Sequence, residues 1–118
     1  MKVFAFGRDV AKALSAHDSR QAAVSRVARI EGRVQIGVIH LGPGGTVGRH
    51  PAVVNQLFMV VAGEGWVAGA DGQRVAVGPG RAAFWEAGED HASGTDSGLI
   101  AVVVEAKDLD PGVFMAPA

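Results

Sequence analysis

Short apolar runs that end in glycine turns make up most of the chain after residue 22. Val34, Ile36 and Val38 alternate with polar or small residues, which is the period of two expected of a half-buried strand. Further strand-like runs cover residues 55–61, 66–68, 74–77, 82–87 and 99–105. Such runs recur about every ten residues, as a β-sandwich or barrel requires. The pattern predicts an all-β protein.

Two local signals add detail to this pattern. Asp9 is a candidate N-cap for a short helix through Val10, Ala13 and Leu14, because Asp accepts hydrogen bonds from the first turn. Between the runs at 66–68 and 74–77, Asp71-Gly72 predicts a tight hairpin with a primed turn, which needs a positive φ. The fold is therefore expected to contain at most one short N-terminal helix.

Composition narrows the class of protein. A chain of 118 residues with 48% apolar residues and 17 glycines predicts one domain over residues 1–118 with many turns. Cysteine is absent, which excludes disulfides, thiolate ligands and a cysteine nucleophile. The net charge is −1 and the 11 basic residues occur along the length of the chain, so neither nucleic acid nor an anionic membrane is an expected partner.

The beginning of the chain bears on localisation. It lacks the long apolar run and small-residue cleavage site of a signal peptide, and no stretch reaches the roughly 20 apolar residues of a membrane helix. We expect a soluble, cytoplasmic protein.

Two sets of glycines, each enclosing a histidine, carry the chemical signal. The first spans residues 44–63 and the second residues 80–95. They read Gly44-x5-His50-x-Ala52-x3-Gln56-x6-Gly63 and Gly80-x5-Glu86-x-Gly88-x2-His91-x3-Thr95. These spacings resemble the two motifs of the cupin superfamily, G-x5-H-x-H-x3-E-x6-G and G-x5-P-x-G-x2-H-x3-N. The chain departs from them at Ala52, Gln56, Glu86 and Thr95.

The resemblance implies a cupin-type barrel, also called a double-stranded β-helix or jelly roll, with residues 1–32 as a flanking strand or helix segment. It implies that His50, Gln56 and His91 converge inside the barrel. It also implies a homodimer, and the apolar segment at residues 3–6 is our candidate for packing across the partner.

Metal binding follows from the same resemblance. Imidazole binds zinc, copper, nickel and iron, and related sites take manganese. The implied ligands are His50, His91 and Gln56. Ala52 cannot ligate, and Gln56 replaces the only carboxylate with an uncharged amide, so the site is altered and weak. The sequence leaves open whether a divalent metal binds at all.

Three hypotheses of function remain. The first is small-molecule binding in a pocket formed by His50, Gln56, His91, Phe58 and Glu86, with Met59 as a further lining residue. The alternative is a metal-dependent enzyme of the dioxygenase or isomerase type that uses His50, Gln56 and His91. The third, a metal-free sugar epimerase, is disfavoured because its acid is a tyrosine and the chain has none. His40, at the end of a predicted strand, is a weaker candidate for the site.

Overall fold

The chain folds into two facing β-sheets. The computed structural model describes all 118 residues. The strands are β1 (Lys2–Ala5), β2 (Lys12–Ala13), β3 (Ala23–Val24), β4 (Gln35–Leu41), β5 (Thr46–Pro51), β6 (Gln56–Gly63), β7 (Gly65–Ala68), β8 (Arg74–Val77), β9 (Arg81–Trp85), β10 (Asp90–Gly94) and β11 (Leu99–Glu105). The five-stranded sheet has the order β1-β9-β6-β11-β4 and the four-stranded sheet the order β5-β10-β7-β8. The all-β prediction is confirmed, and the architecture is that of a jelly roll.

Apolar side chains from both sheets meet between them and form the inner core. From β6 and β9 this core takes Phe58, Val60 and Trp85, all almost fully buried. The four-stranded sheet contributes Val67 and Val77. Because side chains alternate along a strand, only one face of each strand reaches this core.

A second core lies on the outer face of the five-stranded sheet. Leu57 of β6 is buried there, and Met59 packs against the same cluster. The segment at residues 27–30 and the chain's C-terminal end cover this face. Met59 therefore does not line the interior of the barrel, contrary to the expectation, because it has the opposite parity to Phe58 on β6.

The predicted N-terminal helix is wrong. Arg8–Val10 forms one turn of 3-10 helix, after which β2 pairs with β3 in a hairpin of their own. The Leu14 N–H donates to the Ala22 carbonyl at 2.8 Å across this hairpin instead of to a carbonyl four residues earlier. We call β2, β3 and the loop between them (residues 12–24) the arm.

The segment at residues 3–6 packs on its own chain. β1 pairs with β9 in antiparallel register, and Phe4 and Ala5 are buried in this position. β9 pairs with one side of this segment, the C-terminal tail bonds to the other, and the outer core takes Phe4. Packing of this segment across a partner stays a prediction.

The connection between β7 and β8 is longer than the sequence suggests. Ala68 pairs with Arg74, which leaves a five-residue loop in place of a two-residue primed turn. The Gly72 N–H donates to Gly69, and the Asp71 carboxylate accepts from the Gln73 N–H, so the turn closes on Asp71. Gly72 follows it with a φ of +73°.

Replacing Gly72 with valine is expected to lower the free energy of unfolding by about 1 kcal/mol or more. A β-branched residue pays for the left-handed conformation, although nothing near Gly72 would clash with it. Chemical denaturation measures the change, and Gly32→Val, at another exposed glycine with positive φ, gives a matched comparison. A Gly72→Val variant as stable as the parent would contradict a left-handed residue in this loop.

No helix in the structure has the length and apolar character needed to cross a membrane.

Candidate functional site

The two motif histidines lie side by side on neighbouring strands. β5 and β10 are antiparallel, and His50 and His91 are register partners across them. Their ring centroids are 4.3 Å apart and the rings are inclined by 54°. The pairing of these strands thus brings together two residues that are 41 positions apart in the sequence.

Backbone carbonyls set the tautomer of both rings. Nδ1 of His50 lies 2.7 Å from the Gly48 carbonyl oxygen, and Nδ1 of His91 lies 3.2 Å from that of Glu89. A carbonyl only accepts hydrogen bonds, so in each neutral ring Nδ1 carries the proton and Nε2 carries the lone pair. Both histidines are therefore prepared to accept a hydrogen bond or to bind a metal through Nε2.

Nε2 of His91 is the unusual atom of the site. It is buried and has no hydrogen-bond partner within the protein. Most buried polar atoms are paired, so an unpaired acceptor at this depth indicates a position that a ligand, water or ion fills. His50 beside it is exposed, which gives the pair a buried member and an accessible one.

Trp85 also packs against His91. The two rings are 4.4 Å apart and inclined by only 31°. Trp85 is itself fixed, because its indole N–H donates to the Ala68 carbonyl at 3.1 Å and Phe58 packs edge-on against it. His91 therefore contacts both a fixed indole and the imidazole of His50.

Burial lowers the pKa of His91 below its usual 6.5, because the charged ring loses hydration. The hydrogen bond to the Glu89 carbonyl opposes this shift, and the nearby His50 reinforces it. His91 is therefore neutral at neutral pH, which is the form that accepts a ligand proton or binds a metal.

The other predicted site residues are placed as follows. Gln56 and Phe58 are buried on the inner face of β6, where Gln56 is the register partner of Trp85. Glu86 is exposed in the turn after β9, and its backbone N–H donates to the Glu89 carboxylate. The structure brings His50 and His91 into contact, keeps Gln56 on the same inner surface, and leaves Glu86 at the rim.

Two further positions supply no donor to the site: Ala52, which was not expected to ligate, and the weaker candidate His40. Ala52 is buried in the inner core and has no ligating atom. His40 pairs with Ile100 on the outer face of the five-stranded sheet and is exposed, away from the barrel interior. No three His, Cys, Asp or Glu side chains are grouped so that they could hold a metal.

Sequence reasoning missed Glu89. Its carbonyl accepts from Nδ1 of His91, and its carboxylate accepts from the Glu86 N–H and the α-amino group of Met1. It therefore organises the turn that leads into β10. Its position two residues before the motif histidine was the only available signal, because a backbone carbonyl has no sequence signature.

The free energy of unfolding should decline as the pH falls below about 6.5. The unfolded chain, with the ordinary His pKa of 6.5, then binds a proton that the native His91 takes up only at lower pH. The contribution of neutral His91 to stability is fully present above this pH. It is lost as the pH falls from about 6.5 to the pKa of His91 in the folded protein. Denaturant titrations between pH 7.5 and 5 measure it. His91→Gln should reduce the slope with pH, with His40→Gln as the matched histidine control; an unaltered slope in His91→Gln would contradict the assignment.

Comparisons with known proteins agree with this fold. A family model described as a cupin domain matches residues 37–106. A cupin superfamily protein from Desulfitobacterium hafniense is 19% identical, with 76% of this chain and 82% of that one covered and a TM-score of 0.60. A protein from Thermus thermophilus is 24% identical over 69% of this chain and 80% of that chain, with a TM-score of 0.59.

A third similar structure is described as an enzyme. It is a predicted oxalate decarboxylase from Thermotoga maritima, 25% identical, with 65% of this chain and 64% of that chain covered and a TM-score of 0.54. No curated protein has a significantly similar sequence.

Proposed function

The chain belongs to the cupin family, and from that premise we propose that it binds a small molecule in its barrel at an altered, weak metal site formed by His50 and His91. The observation that carries the proposal is the buried, unpaired Nε2 of His91 beside a second imidazole with the same tautomer. A partner at this position would supply the missing hydrogen bond or coordinate bond.

The donors fit a divalent metal in part. His50, His91 and the amide oxygen of Gln56 would hold it, and imidazole favours zinc, nickel, copper and iron over manganese. No carboxylate joins them, so the attraction to a dication is weaker than in a site with charged ligands. Because so few protein groups would bind the metal, some of its coordination positions would stay open. At these positions a bound metal would act as a Lewis acid.

The protein's own groups define what a small ligand would meet. Nε2 of His91 accepts a hydrogen bond from a hydroxyl or N–H group, and the exposed His50 offers a second acceptor nearer the rim. Gln56 adds an amide that both donates and accepts. Phe58 and Trp85 are buried behind these groups, and Trp85 packs against His91. This set suits a small, polar, hydroxyl-bearing molecule.

A metal-dependent enzyme of the dioxygenase or isomerase type is the second candidate. The open positions of a site with two imidazoles favour it. The likeness to a predicted oxalate decarboxylase supports an enzymatic role but not these two reaction types. Here His50, Gln56 and His91 would bind the metal and leave room for substrate.

Metal content and affinity test both candidates. Protein purified without a tag is analysed for metal and then titrated calorimetrically with zinc and nickel. We expect weak, one-to-one binding that His91→Ala and His50→Ala abolish and that His40→Ala, on the outer face, retains. Equal affinity in the parent and in His91→Ala would overturn the site. Turnover by the metal-loaded protein would favour the enzyme.

We also propose a homodimer formed by the outer edge of β4. This strand has no neighbour on one side, contains no charged residue, and exposes Ile36 by 66% and Val38 by 52%. Such an unprotected edge pairs readily with an identical strand. Sedimentation at micromolar concentration should show a dimer, and Val38→Lys should give a monomer. A monomeric parent would contradict the proposal.

A further inference from the structure

The charges of the chain are divided unevenly between its two parts. Residues 1–33 contain seven basic and three acidic residues, a net charge of +4. The remaining residues contain four basic and nine acidic ones, a net charge of −5. The total of −1 therefore conceals a basic N-terminal region.

A cleft of about 490 Å³ lies within this basic region, between the arm and the C-terminal end of the chain. It lies outside the barrel and includes none of the residues of the histidine site. Nine of its 12 lining residues are hydrophobic. They include Val10, Leu14 and Val24, each exposed by 40% or more, and Phe114 and Met115 from the C-terminal end. A volume of this size is typical of small-molecule sites.

Two cations line the apolar cleft without a counter-charge. Lys12 and Arg26 are among the lining residues, and no carboxylate is. Neither forms an ion pair; the ion pairs of the structure involve Met1 with Glu89 and Arg49 with Asp90.

Two guanidinium groups lie over the ring of Phe114, which lines the cleft. The guanidinium groups of Arg26 and Arg29 lie 5.9 and 5.8 Å from its centroid. Aromatic faces attract cations, so the ring holds both groups near the cleft although they repel one another. An anion would relieve this repulsion.

We propose that the cleft binds a small carboxylate with an apolar body, such as a medium-chain or aryl-substituted alkanoate. The carboxylate would take charge-assisted hydrogen bonds from Lys12 and Arg26. The apolar body would cover Val10, Leu14 and Val24, which are otherwise open to water. This site is separate from the barrel histidines and does not depend on their function.

Sodium octanoate is the probe, with 1-octanol and octyltrimethylammonium as neutral and cationic controls of the same chain length. Methyl resonances of Leu14 and Val24 report binding at the cleft, and the imidazole resonances of His50 and His91 report binding at the barrel. We expect octanoate to bind with a Kd of about 1 mM or tighter and to shift the cleft methyls. Binding should weaken with added salt, because the recognition is ionic.

The double variant K12Q/R26Q should weaken octanoate binding by about tenfold or more, because both cations are lost. R74Q/K107Q removes the same total charge elsewhere and should bind octanoate as the parent does. Dispersed Leu14 and Val24 methyl resonances in each variant show that the arm is still folded. If K12Q/R26Q unfolds the arm, the salt dependence of the parent and its preference over 1-octanol decide the question.

Several results would overturn the proposal. Equal affinities for octanoate and 1-octanol would show that the carboxylate is not recognised. Full binding by a folded K12Q/R26Q would remove the cations. Shifts at His50 and His91 in place of the cleft methyls would move the ligand to the barrel.

Discussion

Replacing Gln56 with glutamate is expected to raise the affinity for zinc or nickel by about a hundredfold. The change is isosteric and restores the negative charge at the position where the cupin motif has a glutamate. Even in a partly solvated site, a unit charge a few ångströms from a dication contributes several kcal/mol before desolvation is subtracted, and about 2.7 kcal/mol corresponds to a hundredfold. Calorimetric titration of parent and variant measures the difference.

Gln73→Glu is the matched control, because it makes the same substitution at an exposed position in the β7–β8 loop. It should leave metal affinity near that of the parent. Equal affinities of the parent and Gln56→Glu would mean that residue 56 does not face the metal.

Adding Ala52→His to Gln56→Glu restores both missing ligands and should raise the affinity further above that of the parent. Ala52 is only 4% exposed and packs in the inner core, so the imidazole must displace neighbouring side chains. Stability is therefore measured alongside affinity. An affinity no higher than that of Gln56→Glu in a folded double variant would show that residue 52 points away from the histidines.

Replacing Gly63 with alanine should cost about 3–4 kcal/mol of unfolding free energy, a large share of the stability of a typical domain. Gly63 has a φ of +76°, and a Cβ atom there would overlap the carbonyl group of Gly98, the residue before β11. Both obstacles are backbone, so neither relaxes by a change of rotamer. Equilibrium denaturation in guanidinium chloride gives the value.

Gly44→Ala separates the two causes. Gly44 has the same φ of +76°, but nothing lies within 4 Å of the position its Cβ would take. Its loss should be only the cost of the left-handed conformation, about 1–2 kcal/mol. Equal losses at the two positions would contradict the close approach at Gly63.

The motif spacing predicted these turns well because glycine has a conformational role that sequence records. Gly44, Gly63, Gly80 and Gly88 all have positive φ. The contact of His50 with His91 was likewise predictable, since the resemblance implied that the motif positions converge and strand pairing places them in register. Parity along β6 correctly put Gln56 and Phe58 on one face.

Other features could not be predicted from side-chain patterns. The carbonyls of Gly48 and Glu89 select the tautomers of the histidines, and any residue type supplies a carbonyl. The pattern after Asp9 favoured a helix, but the backbone there forms cross-strand hydrogen bonds in the arm instead. These bonds depend on residues about ten positions further along the chain. The cleft beside the arm is lined by residues from both ends of the chain, so no short stretch of sequence contains all of them.

Because Trp85 packs against His91, the fluorescence of Trp85 reports on the state of that histidine. A protonated imidazole in contact with an indole quenches its fluorescence, whereas a neutral one does so far less. The chain has one other tryptophan, Trp66, whose ring lies beneath the guanidinium of Arg74 at 3.9 Å. In a Trp66→Phe variant all indole emission comes from Trp85. The emission intensity then follows the protonation of His91 and the binding of a ligand to Nε2 of His91, without any added dye.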